Sequence, residues 1–384
     1  MDFSLSMEQE EFVKEVREFC RAECSNVDIA ELERSGKDPE DIERKLVERG
    51  YYGLPFPAAF GGQEKSFFEF GLLLEGLLRG GYPYPGRFQA TMLNALNVFE
   101  NGSDSQKEEI LPKVIRGEYT MSISLTEPNS GTDVASLKTK AVEKDGGFSI
   151  TGQKVYSSGA AGERNIIVVG ARTDPSKPRH KGLTMFLVPS KTKGIEFRRM
   201  KALGRNIGGL YEVFFDDAWV PKENILGELN EGWITLVGGL AVERAVLGAG
   251  YLGFAERIFD DILAIVKGRS CGMRHLGGYS SVAQQTAEFA MEIQAAKLLV
   301  YASLWKATQN KSTIGEVSQN KMYCSELIRR LGDFVMEMGA GFAYLKSSLF
   351  QWYFRESRIV TVGGGSSQIM RNVAGAVNLG LKTK

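Results

Sequence analysis

"YTMSISLTEPNSGTD", residues 119–133, is where the chain changes character. Upstream, apolar residues recur at helical spacing in "FEFGLLLEGLLRG" and "TMLNALNVFE", between glycine- and proline-rich breaks such as "GLPFPAAFGGQ" and "GGYPYPGRF". From Tyr119 the texture becomes short β-branched runs between turns. The first run enters Thr-Glu-Pro and then a loop dense in hydroxyls and amides, and "FSITGQKVY", "NIIVVGARTD", "LTMFLVPS", "IEFRRMKAL" and "LYEVFFDDAWV" follow. This predicts an all-β insert of about 110 residues ending near Leu226. From Trp233 long helical stretches return, "LAVERAVLGAGYLGFAERIFDDILAIVKG" and "SVAQQTAEFAMEIQAAKLLVYASLWKATQ" among them. The plan is therefore mainly α with a central β-domain: helices over 1–118, a β-domain over 119–228, and a helical bundle over 229–384. No internal repeat interrupts it.

The bulk properties of the 384 residues narrow the function classes. Lys plus Arg and Asp plus Glu both number 47, so the net charge is zero and no excess positive field favours nucleic acid or an anionic membrane. No apolar run reaches the roughly 18 residues that suggest a membrane span. The start, "MDFSLSMEQEEFVKEVREFC", is a charged amphipathic helix and lacks the apolar region of a secretory signal, so a cytoplasmic protein is expected. Four scattered cysteines, Cys20, Cys24, Cys271 and Cys324, do not make a disulfide framework, and two histidines, His180 and His275, make a zinc site improbable.

The loop "SLTEPNSGTD" suits a polar planar ligand or an anionic group, although alone it reads equally well as a self-satisfied turn. Its company changes the balance. "SLTEPNSGTDVASLKTKA", "GQKVYSSGA", "LGRN…YEVFFDDAWVPKENILGE", "VERAVLGAGYLG", "EIQAAKLLVYAS" and "RIVTVGGGSSQIMR" follow in order over essentially the whole chain. This succession resembles the acyl-CoA dehydrogenase family, flavoenzymes that oxidise the α,β bond of an acyl thioester.

The resemblance implies FAD and a set of contacts to it. Ser124, Leu125 and Thr126 would lie along the isoalloxazine edge, with Gly131 and Thr132 towards the pyrophosphate and thioester. The family's Trp-x-Thr appears as Tyr156-Ser157-Ser158. Tyr156 would stack beside the ring, with a core aromatic of the β-domain as the plainer reading and one compatible with it, and Ser158 keeps a hydroxyl for flavin N5. On the adenosine side the family's Arg-x-x-Phe-Gly, which reaches the cofactor of a neighbouring subunit, appears as "RSCGM". Arg269 remains for the pyrophosphate, but Gly272 replaces the stacking phenylalanine. Ser280 and Glu337 stand where glutamines are common, with Gly341 retained. These weakened contacts imply looser FAD binding or a site completed by a different partner chain. A homotetramer is the family's usual assembly, and a heterotetramer with a paralogue the alternative.

Three consecutive glycines, Gly363 to Gly365, cost roughly 1 kcal/mol each in a helix interior, so they belong where torsions are unusual or something approaches closely. Many family members read Y-E-G-T-S-x-I here, the glutamate removing the α-proton. This chain reads G-G-G-S-S-Q-I, placing Gly364 at the catalytic position. The Gly364 N–H would still bind the thioester carbonyl, Gly365 would line the substrate, and Ser366, Ser367 and Gln368 would continue along the cofactor. Glu243, in "GGLAVERAVLGAG", has only Gly239, Leu240, Val246 and Leu247 as its helical neighbours, so it is expected to be buried with a raised pKa or held in a structural ion pair. Isovaleryl-CoA, long-chain acyl-CoA and prolyl-carrier-protein dehydrogenases place their base on this helix and a small residue at the Gly364 position. The resemblance thus implies Glu243 as the base, with Arg244 near the substrate's pantetheine or adenosine end. It implies hydride transfer to flavin N5, a trans-2-enoyl thioester product and an electron-transfer flavoprotein as acceptor. A carrier-protein-bound substrate, an enoyl-CoA reductase and a non-catalytic subunit are the alternatives.

Overall fold

The computed structural model describes residues 4–83, 86–309 and 314–381, with the side chains of 238–244 outside the description. Among the described residues the N-terminal helices are α1 (Met7–Glu23), α2 (Ile29–Ser35), α3 (Glu40–Glu48), α4 (Phe67–Arg79), α5 (Arg87–Asn101) and α6 (Asp104–Ile115). Strands β1 (Thr120–Ser124), β2 (Lys140–Lys144), β3 (Gly147–Ser158), β4 (Asn165–Arg172), β5 (Leu183–Pro189), β6 (Ile195–Arg199), β7 (Leu210–Pro221) and β8 (Ile225–Leu226) follow. Next come α7 (Gly232–Gly268), the short strands β9 (Ser270–Cys271) and β10 (Arg274–His275), then α8 (Ser280–Thr308), α9 (Ile314–Ala343), α10 (Leu349–Ile359) and α11 (Ser367–Leu379). Three N-terminal helices begin at the same local signal. Ser6, Ser66 and Ser103 each form a capping box with the Gln or Glu three residues on, which satisfies two otherwise orphaned amides.

The chain divides into two compact units, residues 32–64 with 85–242, and residues 1–31 with 65–84 and 243–384. In the first unit one sheet runs in the order β6-β7-β3-β2-β4-β5-β8, and β1 adds parallel to β4. β4 is buried on both faces, which is why "NIIVVGA" reads as an unbroken apolar run rather than an alternation. Phe148, Ile150, Ile167, Val169, Phe186, Val188, Val213 and Phe215 pack as the core of this sheet. β2 was not predicted, because only Ala141 of its five residues is buried and the segment reads as polar. α5 packs along β1, where the Met121 N–H donates to Thr91 Oγ1 at 3.2 Å.

The second unit is helical: α4 packs on α1 and α8, and α9 carries α8, α10 and α11. Gly253 on α7 permits a close crossing, since a Cβ there would meet the Glu75 carbonyl oxygen at 2.1 Å. The interior holds a charged cluster in which Lys297 Nζ lies 2.8 Å from Glu75 and 3.5 Å from Glu256, and Arg79 bonds to Glu256 and Asp260. No described helix is long and apolar enough to cross a membrane.

Candidate active site

In the sheet unit, β1 delivers the chain into Leu125 and a tight turn. The Glu127 N–H donates to the Ser130 carbonyl (2.9 Å) and the Ser130 N–H to the Glu127 carbonyl (3.1 Å). A buried ion pair fixes this turn. Lys154, 0% exposed, donates from Nζ to the Leu125 carbonyl (3.1 Å) and to Glu127 Oε1 (2.8 Å). Glu127, 8% exposed, also accepts from the Lys138 N–H (2.6 Å) and the Thr139 N–H (2.8 Å). Burial alone would raise the Glu127 carboxyl, but Lys154 and the two amides outweigh it and hold the group below its ordinary value. Burial pushes the Lys154 ammonium down to about 8, against the pull of Glu127.

The same strand supplies the next feature. Lys154 pairs with Val213 and Ser157 with Tyr211, so β3 carries one extra residue between them. Within that bulge the Val155 N–H donates to the Thr126 carbonyl at 2.8 Å, tying bulge to loop. Tyr156 takes a left-handed φ of 61° and is 61% exposed, so it is not a core aromatic. Such torsions cost of order 1–3 kcal/mol in a bulky residue and cluster at ligand sites. Ser124 and Ser157 are buried, and the Ser124 hydroxyl donates to that of Ser157 at 2.7 Å. Ser158, half-buried, pairs with Leu210, while Gly131 and Thr132 are exposed.

In the helical unit the glycine stretch is a turn between α10 and α11. The Gly363 N–H donates to the Ile359 carbonyl and the Ser367 N–H to the Thr361 carbonyl, both at 2.9 Å, and the Ser366 hydroxyl caps α11. Gly364 and Gly365 adopt φ of 67° and 96°, which explains the residue type. Gly364 is exposed, and its N–H donates to no acceptor among the described residues. A Cβ on Gly364 would sit 3.3 Å from Leu247 Cδ1. Leu247 lies one turn beyond Glu243 on α7, and long helical side chains lean back over the preceding turn. The glycine turn therefore abuts the stretch of α7 whose backbone carries Glu243. The side chains of Glu243 and Arg244 lie outside the described residues. Ser367 is buried with its Oγ unpartnered among the described residues, and Gln368 is exposed.

The four residues expected on the adenosine side fall into one exposed region of this unit. Arg269 Nη1 donates to the Met338 carbonyl at 2.6 Å, beside the exposed Glu337. Gly341 faces open space, next to Ala340 at φ 47°, ψ −134°, a non-helical residue inside α9. Ser280 is the first residue of α8, tied back when the Tyr279 hydroxyl donates to the Cys271 carbonyl at 2.7 Å.

Sequence reasoning missed two buried lysines. Lys154 shares strand parity with the core residues Phe148 and Ile150, so its burial was readable in principle. Lys321 stands on the α9 stripe of Val317, Cys324, Ile328 and Leu331, the same kind of signal that singled out Glu243.

Comparison with known proteins places the chain. Models of the acyl-CoA dehydrogenase N-terminal, middle and C-terminal domains match residues 6–118, 122–218 and 230–378. The chain is 29% identical over 370 residues to the 3-(aryl)acrylate reductase of Clostridium sporogenes (strain ATCC 15579), covering 95% of this chain and 97% of that one. It is 27% identical to the mitochondrial isovaleryl-CoA dehydrogenase of Pongo abelii, over 97% of this chain and 88% of that one. The structure of butyryl-CoA dehydrogenase from Megasphaera elsdenii superposes with a TM-score of 0.91 at 26% identity, covering 99% of this chain and 100% of that one. The chain thus belongs to the acyl-CoA dehydrogenase family of flavoprotein oxidoreductases and has its three-domain fold.

Proposed function

We propose that this protein is an FAD-dependent acyl-CoA dehydrogenase that converts an acyl thioester to the trans-2-enoyl thioester, with Glu243 as its base. The observation that carries the reading is the glycine turn: an exposed Gly364 N–H with no acceptor among the described residues, against the part of α7 that holds Glu243. The Gly364 N–H donates to the thioester oxygen and stabilises the enolate that develops there, a role independent of side chain. The Glu243 carboxylate accepts the α-proton, help worth typically 10² to 10⁴ in rate.

The residues present fit a flavin. In the sheet unit a strained, exposed aromatic at Tyr156 and a loop whose Gly131 and Thr132 are open suit a planar, polar-rimmed ligand, and in the helical unit the buried Ser367 hydroxyl has no partner among the described residues. Bound FAD supplies the two-electron acceptor for the β-hydrogen. Ser124, Leu125 and Thr126 would line the ring edge, Ser158 would donate to it, and Ser366 and Gln368 would continue along the cofactor. Arg269 would pair with the pyrophosphate, in the exposed region shared by Ser280, Glu337 and Gly341. Gly365 and Thr132 would flank the thioester, and Arg244 its pantetheine or adenosine end.

The assembly proposed is the family's tetramer, with identical chains or with a paralogue. Met291, Leu298 and Trp305, exposed at seven-residue spacing along α8, suit burial between protomers. An electron-transfer flavoprotein would take the electrons, in a cytoplasmic setting. A carrier-protein thioester is the alternative substrate. The similarity to a reductase favours a second direction, reduction of an enoyl thioester by the same residues.

The test mixes FAD-loaded protein, without oxygen, with saturated acyl-CoAs and one acyl-carrier protein, and reduced protein with enoyl thioesters. Bleaching by a saturated thioester supports the dehydrogenase. Flavin reoxidation by an enoyl thioester alone supports the reductase. Neither response would overturn both.

A further inference from the structure

We propose that Lys321 is the positioning residue that holds the Gly364 N–H where a thioester oxygen can meet it, an inference that rests on the reading of the glycine turn given above. Lys321 lies in the middle of a long α9 stripe and is 0% exposed. A buried ammonium is costly unless its donors are used. Here Nζ donates to the Val360 carbonyl at 3.0 Å and to the Gly365 carbonyl. Those two carbonyls bracket Gly364 in sequence, one at the exit of α10 and one just before the cap of α11.

The stem takes part as well. Lys321 Cε lies 3.9 Å from the position a Gly364 Cβ would occupy, so the side chain runs directly beneath the residue it would orient. The turn needs such a tether. Among the described residues its own main-chain bonds are Val362 and Gly363 to Ile359 and Ser367 to Thr361, and none of them holds Gly364 or Gly365. Two glycines with positive φ have wide torsional freedom, while an oxyanion donor works only within a narrow geometry. One cation bonded to both flanking carbonyls removes that freedom, and charge-assisted bonds are the stronger kind. A neutral side chain of the same length would fill the space without the tether.

The experiment uses the FAD-loaded full chain, wild type and Lys321→Met, with 4-(dimethylamino)cinnamoyl-CoA as the probe. The absorption band of this thioester moves to the red as its carbonyl is polarised. The wild type is expected to shift the band. Lys321→Met should lose at least half of that shift and about tenfold or more in turnover of the best acyl-CoA, with KM changed far less, while keeping its flavin and far-ultraviolet circular dichroism. A wild-type shift and turnover in Lys321→Met would overturn the proposal and leave the reading of the turn intact. No shift and no turnover in the wild type would overturn that reading, and this proposal with it. If Lys321→Met does not fold, Lys321→Gln carries the same comparison with the same two outcomes.

Discussion

Replacing Lys154 by methionine keeps the length of the side chain and deletes its charge. The variant loses the bonds to the Leu125 carbonyl and to Glu127, at 3.1 and 2.8 Å. It leaves the Glu127 carboxylate buried with the Lys138 and Thr139 amides as its remaining donors. Removing one member of a buried pair costs about 3–5 kcal/mol, and the two surviving amide bonds place this case at the lower end, about 3 kcal/mol. Most of that cost is the uncompensated carboxylate, so adding Glu127→Gln to Lys154→Met should return part of it, a coupling of about 1–3 kcal/mol. Urea denaturation of the apoprotein, for the wild type, both single variants and the double variant, measures both quantities. A loss below about 1 kcal/mol in Lys154→Met, or strict additivity of the two substitutions, would refute the argument that this pair fixes the Thr-Glu-Pro turn.

Two further outcomes concern pH. Lys154 sheds its proton as the pH rises through about 8, but the neutral amine keeps two N–H donors for the Leu125 carbonyl and Glu127, so FAD retention in equilibrium dialysis should hold between pH 7 and pH 9. The fold should not weaken either: a base depressed below its ordinary 10.5 makes the unfolded chain hold more protons in that window, so stability rises with pH there. Loss of flavin in that window would contradict this. Glu256 titrates at about 7, raised by burial and then by Glu75, against the opposite pull of Lys297 and Arg79. A raised acid favours the fold when protonated, so its stabilising contribution is full below its ordinary 4.5 and is lost as the pH climbs through 7. The unfolding free energy of Glu256→Gln in urea should therefore gain on that of the wild type between pH 5 and pH 8, by at most about 3 kcal/mol, and a gap independent of pH would count against it.

The parts of the fold that were legible in sequence are those where local chemistry and burial agree. The switch at Tyr119, the buried run of β4 and the helices begun by Ser6, Ser66 and Ser103 are of this kind. β2 was hidden because one buried alanine carries no period, and β8 because two residues carry none. Tyr156 was readable as a core residue, a cofactor residue or both, because alternation cannot reveal a bulge, and the extra residue in β3 is what turns it outwards. The unusual torsions of the glycine turn were legible from residue type alone. Its tether was not, since Lys321 and Gly365 are joined only by the packing of α9 against α11. The bond from Arg269 to the Met338 carbonyl is likewise a tertiary fact, linking segments 69 residues apart.

The proposal is that Glu243 takes the place of the base absent from the glycine turn, while the Gly364 amide holds the thioester oxygen. Anaerobic mixing of a saturated acyl-CoA that bleaches the wild-type flavin with the Glu243→Gln variant tests it most directly, because glutamine keeps the size of the side chain and cannot take the proton. The account predicts that Glu243→Gln binds FAD and the thioester as the wild type does, while the bleaching rate falls by about 10² to 10⁴. Bleaching at the wild-type rate in Glu243→Gln would contradict it and place the base elsewhere.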